Sequence, residues 1–273
     1  MQAGGVAWLA DLHASRIEIG RGKYQARLAE TRDEREAACR LRFRVFNLEL
    51  GEGLESSWKT GLDQDQFDRF CDHLIVEDRS TGQVVGTYRM QSGKMAAKNT
   101  GYYSEVEFDF SPYEPIRSQV LELGRASIDC EHRTSEVLTL LWRGIAQYAR
   151  CYGLRYLIGC SSLNSLQPQT GWSIYRQLSG CRVAEPWRTR PTPAYELPLG
   201  EDSEGIQASL PKLLRTYIAV GARICAAPAW DREFGTIDFL TLLDLEQLTP
   251  AARNRFLPDS EESSVPAMPL CAC

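Results

Sequence analysis

The sequence predicts an α+β fold, a central mixed sheet flanked by helices, on three observations. Cys71–Asp78 and Gln83–Met90 are strand-like runs separated by Arg79-Ser80-Thr81-Gly82, where glycine supplies the turn of a hairpin. Next, an apolar run at 119–128 leads through a helical pattern over Arg133–Tyr152 into the short apolar run Arg155–Ser161. A strand, helix and strand in that succession imply a parallel pair. Finally, the other strand-like runs are interleaved with helices, and the chain shows no internal repeat.

Taken in order, residues 1–22 are rich in Gly and Ala and predict a flexible arm before a single domain at 23–257. Tyr24–Glu30 alternates as a strand. Thr31 and Glu34 form a capping box, and the helix they start runs through Ala37, Ala38, Leu41, Val45 and Phe46, one apolar face at helical spacing. Arg35, Arg40, Arg42 and Arg44 fill much of the remainder, a row that reads first as a solvated face and second as a face on which an acidic partner would dock. Gly51–Arg69 has no period and carries Asp63-Gln64-Asp65-Gln66-Phe67-Asp68. After the hairpin, 94–103 reads as a loop. Ser104–Phe110 alternates acid against apolar, predicting a short half-buried strand closed by Pro112 and Pro115. In the long helix Val137, Leu138, Leu141, Trp142, Ile145, Tyr148 and Ala149 recur at helical spacing, and Gly153 ends it. Residues 162–205 are an irregular insertion with a short helix at Gly171–Leu178. A helix at Leu210–Val220, strands at Ala222–Ala227 and Thr236–Leu243 and a last helix near 248–256 precede a polar, disordered tail at 258–273.

Composition excludes several classes. The 273 residues are 43% hydrophobic and 25% charged with a net charge of −5, an ordinary globular balance that gives no argument for nucleic acid. No apolar run approaches the ~20 residues of a membrane span. Met1–Ala14 lacks the basic start and apolar core of a signal peptide, and nine scattered cysteines fit a reducing cytoplasm. Three histidines without paired spacing predict no metal site.

Chemistry is expected where charge meets core. Leu121-Glu122-Leu123-Gly124-Arg125-Ala126-Ser127-Ile128 sets an acid and a base three residues apart in an apolar strand. Buried ionisable groups must be paired or used. Arg42, Asp63, Asp65, Asp68 and Arg89 join them as charges in core contexts. Such a set neutralises itself as an ion network or holds a zwitterionic amine, carboxylates for its ammonium and arginine for its carboxylate. Spacing alone leaves both open.

Arg42-x-x-Val45-Phe46, Asp63-x-Asp65-x-x-Asp68, Val85-Gly86-x-x-Arg89 and Glu122-x-x-Arg125 resemble, in order and spacing, the signature residues of acyl-homoserine-lactone synthases. Further strings resemble more closely the L-ornithine Nα-acyltransferases of ornithine-lipid synthesis. They are Cys71–Leu74, Val84–Arg89, Tyr103–Glu105, Phe108-Asp109, Leu141–Ala146, Ile158–Cys160 and Gly235–Phe239. The resemblance covers roughly residues 24–257.

It implies a GNAT (N-acetyltransferase) fold with a mostly antiparallel sheet. It also implies transfer of a 3-hydroxyacyl chain from acyl carrier protein to the α-amine of ornithine, giving a lyso-ornithine lipid. Glu122 matches the general base of the lactone synthases, with Arg125 as its orienter. A glutamate is a weak base for an ammonium unless burial raises its pKa, and Arg125 opposes that rise. Arg42, Phe46, Asp63, Asp65, Asp68, Arg89 and Glu105 are implied to shape the amino-acid site. Amides near Ala126 and Ile128 would meet the thioester, and Arg133 the phosphate of the donor arm.

Two departures matter. A Gly-rich pyrophosphate loop is expected after the fourth strand in CoA enzymes, yet this chain reads Asp129-Cys130-Glu131-His132-Arg133-Thr134-Ser135, which fits a carrier-protein donor over acyl-CoA. Asn47-Leu48-Glu49-Leu50 stands where the lactone synthases carry tryptophan, which speaks against a lactone product. The expected partners are acyl carrier protein and an amino acid, with no tightly bound cofactor. The expected location is the cytoplasm, with peripheral contact at the inner membrane face as an extension. Another amine acceptor, such as glycine, and a non-catalytic module that binds carrier protein or lipid are the competing readings.

Overall fold

A computed structural model describes residues 17–199 and 208–257. The expected tail, most of the expected N-terminal arm and residues 200–205 of the expected insertion lie outside the described residues. The strands are β1 (Glu18–Arg21), β2 (Tyr24–Leu28), β3 (Asp72–Asp78), β4 (Gln83–Ser92), β5 (Val120–Ile128), β6 (Tyr156–Leu163), β7 (Arg223–Ile224), β8 (Ala229–Asp231) and β9 (Thr236–Asp244). They form one sheet in the order β1-β2-β3-β4-β5-β6-β9-β7, with β8 on β9. Every pairing is antiparallel except β5 with β6. This is the mixed, mostly antiparallel sheet that was expected.

The helices are α1 (Arg32–Phe43), α2 (Ser57–Thr60), α3 (Gly93–Lys98), α4 (Ser104–Glu107), α5 (Ser135–Tyr152), α6 (Pro168–Gln177), α7 (Lys212–Val220) and α8 (Pro250–Phe256). Strand alternation assigns them to faces. Leu74 and Val76 of β3 pack with Val137, Leu141 and Ile145 of α5, whereas Ile75 between them packs with Ala38 of α1. Successive side chains of a strand point to opposite faces, so α1 and α5 cover opposite sides of the sheet. Thr31 caps α1 with its capping box intact, and Gly153, at φ 66°, ends α5.

Several elements differ from expectation. The helix begun at α1 does not stop at Phe46 but continues as a π-helical turn over Arg44–Leu50. A π segment places an extra residue in the helical ladder and is frequent at functional sites. Ser104–Phe110 is not a strand. Its first residues form α4, because the amides of Tyr103 and Ser104 donate to the Glu122 carboxylate and fix a helical turn there. Glu107, read as a solvent-facing acid of that strand, is buried. The loop expected at 94–103 contains α3, and the strand expected at Ala222–Ala227 shrinks to β7.

Candidate active site

The site opens where the parallel pair comes apart. β5 and β6 pair only over Val120–Glu122 with Tyr156–Ile158. Beyond that point β6 stays with β9 and β5 with β4. Gly159 sits at the fork: a Cβ there would lie 2.2 Å from the Leu123 carbonyl oxygen, so only glycine allows the backbones so close before they part. The gap is a cavity of about 690 Å³ lined along β5 by Leu123, Gly124, Ala126, Ser127 and Ile128 and along β6 by Cys160, Ser162 and Leu163. Val45, Phe46 and Leu50 of the π-helical segment, Leu138 of α5, Leu213 and Tyr217 of α7 and Phe234 complete its apolar walls.

A second irregularity lies on the β4–β5 side. Arg89 pairs with Gly124 and Thr87 with Ser127, so Tyr88 on β4 faces two residues, Arg125 and Ala126, on β5. Arg125 adopts φ 53°, in the left-handed region. A bulge of this kind re-aims a side chain. The Arg125 guanidinium lies 4.5 Å from the Phe234 ring centroid and 5.0 Å from that of Tyr103.

One side of the cavity is a closed ion network. Arg42, fully buried, donates to Asp63 at 2.7 Å and to both oxygens of Asp68 at 2.7 and 3.0 Å. Arg89 donates to Asp65 at 2.6 Å, and Arg125 donates to Asp65 at 3.1 Å and lies 3.4 Å from Asp63. Burial alone would raise the Asp68 carboxyl, but the Arg42 and Arg89 guanidiniums overcome it and hold it far below the ordinary range. Asp65 is lowered in the same way, against its burial, by Arg89 and Arg125. Three guanidiniums thus face three carboxylates. The neighbouring His73 is pushed down to about 4 by burial, with Asp68 opposing.

The opposite side is acidic and has no such partners. Glu122 accepts from the Tyr103 amide at 2.9 Å, the Ser104 amide at 2.7 Å and Ser104 Oγ at 2.6 Å. Burial raises its carboxyl above the ordinary value; the Ser104 and Tyr103 donors and the Arg89 charge temper the rise. Beyond Ser104 lie Cys160, Glu107 and Asp238, with ligand-type atoms all within 4.8 Å of one another. Burial and then Asp231 push Asp238 up to about 6, and burial and Asp238 push Glu52, on the cavity wall, up to about 7. Glu107 is raised well above the ordinary range by burial and the nearby Asp238 and Asp231. Among the described residues none of Glu52, Glu107, Glu122 and Asp238 takes part in an ion pair.

The structure therefore brings together Arg42, Phe46, Asp63, Asp65, Asp68, Arg89, Glu122, Arg125, Ala126 and Ile128. Phe46 packs edge-on against Phe234 at 5.4 Å. Arg133 lines the cavity at an exposed position, donating to the Ile128 carbonyl at 3.1 Å and pairing with Glu49. Glu105 stands apart: it pairs with Arg117 and lines a separate cavity with Phe108, Asp109 and Arg190. Where a pyrophosphate loop is expected, Asp129 instead caps a short turn at Cys130–His132, and Thr134 caps α5 with its own side chain.

Residues 41–143 match the acetyltransferase (GNAT) domain family. Over 266 residues the chain is 34% identical to the L-ornithine Nα-acyltransferase of Brucella abortus (strain 2308), covering 88% of this chain and 94% of that one. It belongs to the L-ornithine Nα-acyltransferase family. A second relative with that name, from Agrobacterium fabrum (strain C58 / ATCC 33970), is 31% identical over 244 residues, 83% of each chain. Among solved structures, FeeM, an N-acyl amino acid synthase from uncultured soil microbes, shares the fold. Its TM-score is 0.52 at 12% identity, covering 87% of this chain and 97% of that one.

For this family member, sequence reasoning missed Glu52, Glu107 and Asp238. A signal existed for Asp238, an acid between Ile237 and Phe239 in the otherwise apolar run of β9. Glu107 was hidden by the alternation that mimicked a strand, and Glu52 by the absence of any period around it.

Proposed function

We propose that this chain transfers a 3-hydroxyacyl group from acyl carrier protein to the α-amine of L-ornithine. The observation that carries this reading is an apolar cavity ending on unpaired buried carboxylates, in a member of the L-ornithine Nα-acyltransferase family. The apolar walls suit an acyl chain, and the acids suit an amine.

The steps follow from that placement. Glu122 takes one proton from the substrate ammonium, directly or through a water, and the freed nitrogen attacks the thioester carbonyl carbon. Amides of β5 near Ala126–Ile128, on the edge that β6 has left, stabilise the oxyanion. Collapse breaks the C–S bond, and the second amine proton leaves with the carrier thiol. Arg125 supplies the charge for the substrate carboxylate, supported by its buried Nε, which lies 3.4 Å from Asp63 but has no hydrogen-bond acceptor among the described residues. The Arg42–Asp63–Asp68 set positions Arg89 and Arg125.

Carrier protein as donor is supported by the charges at the mouth: Asp129 and Glu131 stand where a CoA pyrophosphate would need positive charge, while Arg32, Arg40 and Arg44 are exposed along α1 and its extension. Among the described residues no helix is long and apolar enough to cross a membrane. Leu48 and Leu50, 57% and 44% exposed on the π-helical segment at the cavity rim, support peripheral contact with a lipid surface. The test is thiol release from 3-hydroxyacyl carrier protein on adding ornithine, with acyl-CoA and glycine in parallel arms. Release with ornithine and carrier protein is expected; none with any amino acid would leave only a binding module.

A further inference from the structure

Past Glu122 the acidic side of the cavity holds more carboxylate than the reaction above uses. Glu107 is 1% exposed, and no amide, hydroxyl or cation among the described residues donates to it; its one side-chain partner is the Asp238 carboxyl, with which it shares a hydrogen bond. Two acids buried side by side with no cation are costly, and an arriving ammonium would relieve that cost. Its neighbours do not share the deficit. Asp231 accepts from Tyr103 Oη at 3.1 Å and from the amides of Glu233 and Phe234 at 3.0 and 2.9 Å. Glu122 has its three donors, and Asp238 has Thr236 Oγ1 at 3.0 Å. The acid pair without a cation is therefore Glu107 with Asp238, and Asp238 is the member that lines the cavity.

We propose that Glu107 and Asp238 form the subsite that receives the acceptor's second, side-chain ammonium and so select a diamino acid. The proposal rests on the reading of the chain as an ornithine acyltransferase. Geometry sets the spacing: Ser104 Oγ touches Glu122 at 2.6 Å and Cys160 Sγ at 3.5 Å, and Cys160 Sγ lies within 4.8 Å of both acids. An amine bound at Glu122 and a second at the pair are thus separated by a short arm, as in ornithine. An ammonium brings three N–H donors and a positive charge, which an alcohol or amide does not. Arg125 pairs with Asp63 and Asp65 and forms no ion pair with Glu107 or Asp238 among the described residues. A metal ion on Cys160, Glu107 and Asp238 is the competing occupant, and the test below includes it.

The test compares ornithine with norvaline, which is ornithine without its side-chain amine, using the purified full chain and 3-hydroxyacyl carrier protein. The wild type is expected to favour ornithine in kcat/KM by a hundredfold or more, since a site built for a charged donor rejects the analogue lacking it. In Glu107→Gln and in Asp238→Asn, ornithine is expected to lose on the order of tenfold, mainly through KM, while norvaline changes little. Glu107→Asp, which keeps the charge, is expected to restore part of the preference. A purely structural role would lower both substrates together, and an unchanged ratio in both variants overturns the subsite alone. Equal use of the two acceptors by the wild type also overturns it, whatever the variants' folding. Loss of the preference on chelation, with recovery on adding Zn²⁺, would reassign the pair to a metal. No turnover of ornithine at all overturns the reading of the reaction and the subsite with it.

Discussion

Two buried ionisable regions flank one cavity and are built in opposite ways. In the Arg42–Arg89–Arg125 network each carboxylate has a guanidinium within hydrogen-bond or ion-pair distance, and the arginines hold Asp65 and Asp68 below the ordinary carboxylate range. Across the cavity, Glu52, Glu107 and Asp238 take part in no ion pair among the described residues, and burial pushes them toward the neutral form. The first arrangement satisfies itself and fixes backbone geometry, notably the bulge at Arg125. On the reading proposed above, the second takes up the substrate's ammonium. Equal burial of charge would then serve structure on one side and binding on the other, and substitutions should separate the two.

The largest expected effect comes from opening the closed side. Arg42→Ala leaves Asp63 and Asp68 buried without their main cation and should cost roughly 3–5 kcal/mol in urea denaturation. A loss below about 1 kcal/mol would show that the network is not structural.

The two sides should also respond to pH with opposite signs. Asp65 and Asp68 have depressed folded-state values, so their stabilisation is present above the unfolded value of about 3.9 and disappears as pH falls below it. Asp238 is raised, so its contribution is present below about 3.9 and is lost as pH rises to about 6. At pH 8 Asp238→Asn should therefore be more stable than the wild type by roughly 1–3 kcal/mol, while using ornithine less well. Denaturation midpoints across pH 3–8 check both signs, and a destabilised Asp238→Asn at pH 8 contradicts this view of the acidic side.

Glu122→Gln should lower turnover at least about tenfold, near 1.4 kcal/mol in the barrier, with an unaltered circular dichroism spectrum. Near-wild-type turnover would move the base to Asp238 or Glu52. The smallest effect is expected at Glu105, whose partner Arg117 also pairs with Glu114. Glu105→Gln should change stability by less than about 1 kcal/mol and leave the KM for ornithine as it was; a raised KM would bring Glu105 back into the substrate site.

Much of this was legible in the residues. The β3–β4 hairpin, the β5–α5–β6 unit and its parallel pair announced themselves through apolar periodicity and turn glycines. The charges on both sides of the cavity stood out because Arg42, Arg89, Glu122 and Arg125 fall on core positions of periodic elements. What stayed hidden depends on long-range contacts. α4 forms because Glu122, far along the chain, supplies an acceptor for its first amides, and no local pattern shows that. The fork needs β6 to follow β9 in place of β5. The acidic pair joins Glu107 and Asp238, which only the folded sheet brings together.

A crystal structure with L-ornithine bound tests the account most directly. It should show the α-nitrogen against Glu122, the carboxylate at Arg125 and the side-chain nitrogen between Glu107 and Asp238. The side-chain nitrogen in solvent, or either nitrogen seated on Asp63–Asp68 with the arginines displaced, would contradict it.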